Sequence, residues 1–456
     1  MSAVIILLFV IGYLAITLEH PLKLDKTVPA LLMAATMWAL LAVGFHQGWF
    51  SVINTEGHVF NFLKGGEEAQ EGFHNLLLHH FGKTAEILIF LIGAMTIVEI
   101  VDLHKGFDII KTWIKAKSKK NLLWIMAILA FFLSAIIDNL TATIVLITLL
   151  RKLISDRNTR LWFAGLIVIA ANAGGAWSPI GDVTTTMLWI GKRVSAAHLV
   201  ERLVLPSIVS VVVPVFIASF LPAFKGDINV DIKDDDEKGH RLLSSSRMLF
   251  LGLGMIIFVP IFKTLTHLPP YIGMMLGLGI VWLVSEYIHP EEDFTEERKH
   301  LYSPHKALSR IEMSSILFFL GILMSVAALE SLVYGITAGG DQVGTLRYLA
   351  EVLNSAIPNQ NIVILLLGVL SAIIDNVPLV AASMGMYSAP MDASVWHLIA
   401  YAAGTGGSML IIGSAAGVAA MGMEKIDFIW YFKKITWLAA AGFITGYVVL
   451  LFMESL

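Results

Sequence analysis

The chain has 456 residues, of which 57% are hydrophobic and only 14% charged, and its mean hydropathy is +0.78. Soluble domains carry about 25% charged residues, so a soluble enzyme and a disordered chain are excluded, and a net charge of −4 offers no basic surface to nucleic acid. The absence of cysteine removes disulfides and thiolate chemistry. What remains is an all-α polytopic protein of the lipid bilayer, a class without a catalytic signature here.

A bilayer core of about 30 Å needs about 20 apolar residues as a helix. In chain order, such runs lie near 3–18, 27–46, 84–102, 161–191, 199–222, 247–268, 270–288, 311–334, 397–423 and 428–453. The first run has no basic residue ahead of it and no small-x-small cleavage site, so it is expected to stay as a helix. Residues 47–83 read as an outer loop that includes His58, His74, His79 and His80. Residues 225–246 contain Asp234-Asp235-Asp236-Glu237 and read as a solvated cytoplasmic linker. This linker divides the chain into halves 1–224 and 247–456.

Two further apolar stretches, 121–150 and 362–390, carry polar residues at their centres. If both are re-entrant hairpins, about ten crossings remain. Placing the lysines from Lys105 to Lys120 in the cytoplasm then leaves only Lys64, Lys83, Lys192, Arg193, Arg202, Lys263 and Arg347, of 31 Lys and Arg, on the opposite face. Making 121–150 a simple crossing destroys that asymmetry. Both termini then face outward.

The halves repeat each other. Ser134–Asn139 and Ser371–Asn376 both read SAIIDN, 237 residues apart. Gly174-Gly175 and Gly181 match Gly406-Gly407 and Gly413 at an offset of 232, and Phe90–Gly93 resembles Phe318–Gly321 at 228. Five crossings and one hairpin per half invert the second half relative to the first, the plan of secondary transporters.

Asp138-Asn139 and Asp375-Asn376 sit at the hairpin centres, where a carboxylate costs about 2.5–3.5 kcal/mol on insertion scales. Two readings stand. The pairs coordinate a hard cation through carboxylate, amide and turn carbonyl oxygens, or they cap helices. The segment Asn172–Thr186 contains Gly174, Gly175, Pro179 and Gly181, so the span 161–191 is expected to break near its middle. Asp182, Thr184 and Thr185 then start its second half. The matching break in 397–423 carries Ser408 and Ser414 instead of a carboxylate, with Ser414 aligned to Asp182.

No Lys or Arg lies in these motifs. A central site with Asp138, Asp182 and Asp375 therefore suits Na⁺ or Li⁺ better than an anion. Desolvation and like-charge repulsion disfavour the charged form of a buried carboxylate, which lets H⁺ compete with Na⁺ for the same oxygens. Glu86 and Glu99, on one run, form a candidate proton path, with snorkelling to the interface as the alternative for Glu86. Gly82-Lys83-Thr84 is no phosphate loop, because position 77 is Leu.

The stretches SAIIDN-LTATIV, SAIIDN-VPLVAA, NAGGAWSPIGDVTTTMLW, GTGGSMLIIGSAAG and AEILIFLIGAMTIVE resemble the NhaD-type sodium/proton antiporters of the ion transporter superfamily. The resemblance runs from about Lys83 to the C-terminus. It implies Na⁺ or Li⁺ exchange for H⁺ across a cytoplasmic (inner) membrane without a further cofactor. It also implies a scaffold that dimerises and an elevator-like transport domain. Carried over by motif, the functional positions are Asp138, Asn139, Asn172, Asp182, Thr184, Thr185, Asp375, Asn376, Ser408 and Ser414. The alternative within the superfamily is a Na⁺-coupled carrier of a dicarboxylate or arsenite. The Asp-Asn pairs stand where dicarboxylate carriers have Ser-Asn-Thr signatures.

Overall fold

A computed structural model describes residues 2–18, 22–114, 116, 118–227, 242–289, 302–336, 342–373 and 375–455. The acidic run at 234–237 lies outside these residues. The described chain is almost entirely helical. In order, the helices are α1 (Ser2–Thr17), α2 (Thr27–His46), α3 (Phe62–Leu103), α4 (Asp108–Trp113), α5 (Lys119–Ile137), α6 (Asn139–Leu153), α7 (Arg157–Ala176), α8 (Val183–Ile190), α9 (Ala196–Ala218) and α10 (Ser245–Thr266). They continue as α11 (Pro270–Tyr287), α12 (Pro304–Leu308), α13 (Met313–Ser331), α14 (Thr345–Ala356), α15 (Gln360–Leu370), α16 (Asn376–Met386), α17 (Ser394–Gly406), α18 (Ala415–Glu424), α19 (Phe428–Lys434) and α20 (Thr436–Glu454). Two antiparallel two-stranded ribbons complete the set: β1 (Val52–Ile53) with β2 (Val59–Phe60), and β3 (Val333–Ile336) with β4 (Gln342–Gly344).

Nine helices among the described residues are long and apolar enough to cross a bilayer. The protein is a multi-pass membrane protein. Helix starts follow local chemistry: Ser118, Asp156, Ser195 and Asp427 each accept a backbone N–H from the first turn of α5, α7, α9 and α19. The Thr159 hydroxyl and amide hold the Asp156 carboxyl below the usual carboxylate range.

Three expectations from hydropathy change. Residues 62–83 are not loop but the first turns of α3, which starts at Phe62 and kinks at Gly66 (φ 53°). Ala69, Phe73, Leu76 and His80 are buried there at helical spacing. A search for continuous apolar runs passes over such an amphipathic segment. His74, His79 and His80 are accordingly helical, and His80 Nε2 lies 3.1 Å from the Ser331 hydroxyl. The run 428–453 is divided at Ile435 into α19 and α20. Residues 342–361, assigned to no span, form β4 and α14, and α14 meets α15 at a bend of 116°.

The chain forms two compact units, and neither is a half of the sequence. The first unit comprises Met1–Leu88, Glu312–Leu366 and Val377–Pro390. In it α2 crosses α13 closely: a Cβ on Gly321 would lie 2.6 Å from the Ala30 carbonyl carbon, and Trp38 Nε1 donates to the Met324 carbonyl at 2.8 Å.

The second unit comprises Ile89–Ile311, Leu367–Asn376 and Met391–Leu456. Lys119, at the start of α5, donates its amide to Gly226 O at 3.1 Å. Nearby Phe224 packs on Phe163, in the second turn of α7, with ring centroids 5.0 Å apart. The chain therefore leaves this end through α5, reverses at Asp138, and returns through α6 to the start of α7. Elsewhere in this unit His104, just past α3, is fully buried. Its Nδ1 and Nε2 lie 2.8 and 3.1 Å from the Ser244 and Ser285 hydroxyls. Desolvation lowers its pKa to about 4.

Candidate functional site

The backbone at the centre of the second unit repeats to atomic detail. α7 stops at Ala176 and α8 starts at Val183; α17 stops at Gly406 and α18 starts at Ala415. Asp182 and Ser414 are the N-caps of the restarted helices, both with φ −148°. The Ser134 hydroxyl donates to Ala171 O at 2.6 Å, and its equivalent Ser371 donates to Ala403 O at 3.0 Å. A Cβ on Gly174 would lie 2.1 Å from the Phe131 carbonyl oxygen, and one on Gly406 would lie 2.1 Å from that of Gly368. Only glycine admits such approach, and it brings each broken helix onto its hairpin. The two broken helices also meet: a Cβ on Gly404 would lie 2.8 Å from that of Ala176.

This convergence joins four side chains from four helix ends. Asn139 Nδ2, at the start of α6, donates to Asn172 Oδ1 and to Asp182 Oδ2, both at 3.1 Å. Asn172 Nδ2 donates to Ser414 Oγ at 2.9 Å. All four are buried. Asp182 Oδ1 accepts the Thr184 amide at 3.2 Å. The Thr184 hydroxyl is fully buried without a partner in hydrogen-bond geometry among the described residues. The Thr185 hydroxyl donates to Ser178 O at 2.7 Å inside the break.

Asp138 and Asp375 are both near enough to Asp182 for their charges to repel it. They differ in setting. Asp138 caps α6, its two carboxylate oxygens accepting the Thr141 amide (2.8 Å) and hydroxyl (2.9 Å). Its backbone has φ 82° and ψ 159°, a region that essentially only glycine adopts and that costs other residues about 1–3 kcal/mol. Asp375 ends the segment between α15 and α16. Asn376 Oδ1 accepts from Ser371 Oγ at 2.6 Å and packs against Gly407. Asn376 is thus tied back within its own hairpin, whereas Asn139 reaches from its hairpin to Asn172 and Asp182 on the broken helix of the same repeat.

The Ser408 hydroxyl donates to Thr405 O at 2.6 Å in its own helix end and is not among the bonded partners of Asn172. Glu86 is half-buried in the first unit. Glu99 belongs to the second, where its Oε2 pairs with Arg310 Nε at 3.1 Å. Arg310 also holds Asp102 at 2.7 Å. Sequence reasoning passed over Thr141 and Ser371 as partners of the motif acids and amides. A hydroxyl three residues after Asp138 was the available signal for the first.

The profile of the citrate transporter family matches residues 6–402. Sodium/proton antiporter 1 of Arabidopsis thaliana is 45% identical over 99% of this chain and 72% of its own length. Sodium/proton antiporter 2 of the same plant is 42% identical over 96% of this chain and 97% of its own. The Na(+)/H(+) antiporter NhaD of Alkalimonas amylolytica is 32% identical over 95% and 86%. The chain belongs to the citrate transporter family, in its NhaD-type antiporter group. Within that NhaD-type frame, both SAIIDN motifs and both helix breaks fall in the second compact unit.

Proposed function

We propose that this NhaD-type protein exchanges Na⁺ or Li⁺ for H⁺ by alternating access, with both ions competing for the carboxylates at the helix breaks. The observation that carries the reading is the buried network that binds Asp182 to Asn139, and Asn139 through Asn172 to Ser414, where the two helix breaks meet, with the charges of Asp138 and Asp375 acting on Asp182. The buried Asp182 carboxylate is stabilised by positive charge, supplied either by a cation or by a proton. Asp182 supplies charge, and Asn139, Asn172, Asn376, Thr185 and Ser414 supply neutral oxygens and orientation. The buried Thr184 hydroxyl lies beside Asp182 and offers a further oxygen to a hard cation there. Ser408 donates its hydroxyl hydrogen to Thr405 O and keeps its oxygen lone pairs for the cage.

Protonation displaces the cation and resets the site for return. The protein then has only to forbid reorientation of the charged, empty site. Glu86 and Glu99 form the proposed proton route, in which Glu99 releases Arg310 before carrying a proton. The resemblance extends the proposal to a homodimer in the cytoplasmic membrane with an elevator-like motion, and the Lys and Arg asymmetry adds both termini outward.

The test uses energised inside-out vesicles from an antiporter-deficient host, with internal acidity followed by a quenched dye. Dequenching on adding NaCl or LiCl but not choline chloride, absent in Asp138→Ala and Asp182→Ala, is the expected result. Exchange that survives both substitutions defeats the reading. The family description favours one rival, a carrier of citrate or a related anion. In that case vesicles show no Na⁺-dependent dequenching but take up the anion with Na⁺.

A further inference from the structure

Glu424 is the last residue of α18, and it is buried. Arg151 Nε reaches its Oε1 at 2.6 Å, and Arg160 Nε reaches its Oε2 at 3.1 Å. Arg151 also donates to Met423 O, while Arg157 donates to Glu424 O at 3.2 Å and to Lys425 O at 2.9 Å. These carbonyls are the ones a helix C-terminus leaves without partners, and they sit at the negative end of its dipole. Lys425 closes the helix in the left-handed conformation (φ 51°).

The helices that meet at this cluster are the ones that meet at the candidate site. α6 carries Asn139 at its start and Arg151 twelve residues on. α7 carries Arg160 near its start and Asn172 twelve residues on. α18 is capped by Ser414 and ends at Glu424, ten residues on. At 1.5 Å per residue these spacings are about 18, 18 and 15 Å. Three rods of nearly equal length are therefore bonded to one another at both ends. One end holds Asn139, Asn172 and Ser414, and the other holds Arg151, Arg160 and Glu424.

We propose that Glu424 and its arginines form a clamp that sets the position of α18, so that Glu424 is a positioning residue for ion binding although it touches no site residue. This rests on the reading of the breaks as the ion site. A buried ion pair is weak evidence for net stability, because desolvation offsets the attraction. Fixing one geometry is the better-supported use. Losing Glu424 leaves three guanidiniums facing only carbonyls, and α18 slides or tilts. Ser414 then leaves Asn172, and Asn139 and Asp182 lose the orientation that Asn172 imposes.

The test measures Na⁺-driven proton exchange by the full chain in proteoliposomes, with Na⁺ varied at fixed pH. Glu424→Gln is expected to raise half-saturating Na⁺ at least tenfold while lowering the maximal rate far less. Glu424→Asp recovers part of that affinity, and Arg160→Gln moves it in the same direction. Glu424→Gln combined with Ser414→Ala is no worse than the more damaging single change, because both loosen one rod. Half-saturation within twofold of wild type in Glu424→Gln overturns the clamp, as does a loss confined to the maximal rate and the yield of folded protein. If Glu424→Gln is silent while Asp182→Asn is inactive, the ion site stands without the clamp. If Asp182→Asn exchanges normally, the ion site falls and the clamp's purpose with it.

Discussion

The first and second helix breaks share a backbone and differ in charge. Gly174 and Gly406 make the same approach to their hairpins, and Asp182 and Ser414 cap their half-helices at the same φ. Yet only the first break carries a carboxylate, and the first hairpin turns on a strained residue, Asp138. In the second hairpin the amide of Asn376 is tied back to Ser371. Duplication has kept what packing requires and varied what chemistry requires.

The largest expected effect separates the two caps. Asp182→Asn keeps the size and a capping oxygen but removes the charge, and should lower exchange at least about 100-fold, the upper end for a lost charge-assisted interaction. Ser414→Ala should cost about tenfold, the upper end for a neutral hydrogen bond. Equal losses in a Na⁺ titration of both would erase the distinction between charged and neutral breaks. Asp138 sharpens it from the backbone side. Asp138→Gly should abolish exchange yet leave thermal stability in detergent near wild type, because relief of the φ 82° strain offsets the lost cap. Asp138→Ala should be inactive and less stable by about 1 kcal/mol for the lost cap. Similar melting curves for the two variants would show that Asp138 is not strained.

The shared backbone gives the next contrast. Gly174→Ala and Gly406→Ala each force a methyl onto a carbonyl oxygen, and each should destabilise by about 1–3 kcal/mol. Unequal thermal shifts would mean that the two breaks are not mechanically equivalent. The smallest effect lies away from the breaks. His104 is held neutral in the fold, with its pKa lowered to about 4 from the ordinary 6.5. The unfolded chain therefore binds the extra proton first. His104's stabilisation is complete above pH 6.5 and lost as pH falls from 6.5 toward 4, by up to about 3 kcal/mol at 1.36 kcal/mol per pH unit. His104→Gln should flatten the pH dependence of melting in that window and leave the ion-site variants ranked as before.

Several features were legible without coordinates. Hydropathy found the membrane class and most spans, because a helix in lipid must satisfy its backbone internally and so shows itself as a local apolar run. Identical SAIIDN motifs found the repeat, and Gly-Pro-Gly composition found the breaks, because glycine and proline act on the backbone where they stand. The amphipathic start of α3 escaped, since its signal is periodicity rather than hydropathy. So did α14, which is too short and polar to read as a span.

Sequence by itself thus determined which residue types stand at the hairpin turns and helix breaks and that they come in two related sets. Tertiary structure alone decided their partners. Asn172 meets Ser414 across 242 residues, and Arg151 meets Glu424 across 273. Asn139 crosses to Asp182 while its twin Asn376 folds back onto Ser371. A side chain's hydrogen bonds depend on which helices glycine lets approach and on the angles at which they meet. Both are properties of the packed chain, and no local stretch of sequence contains them.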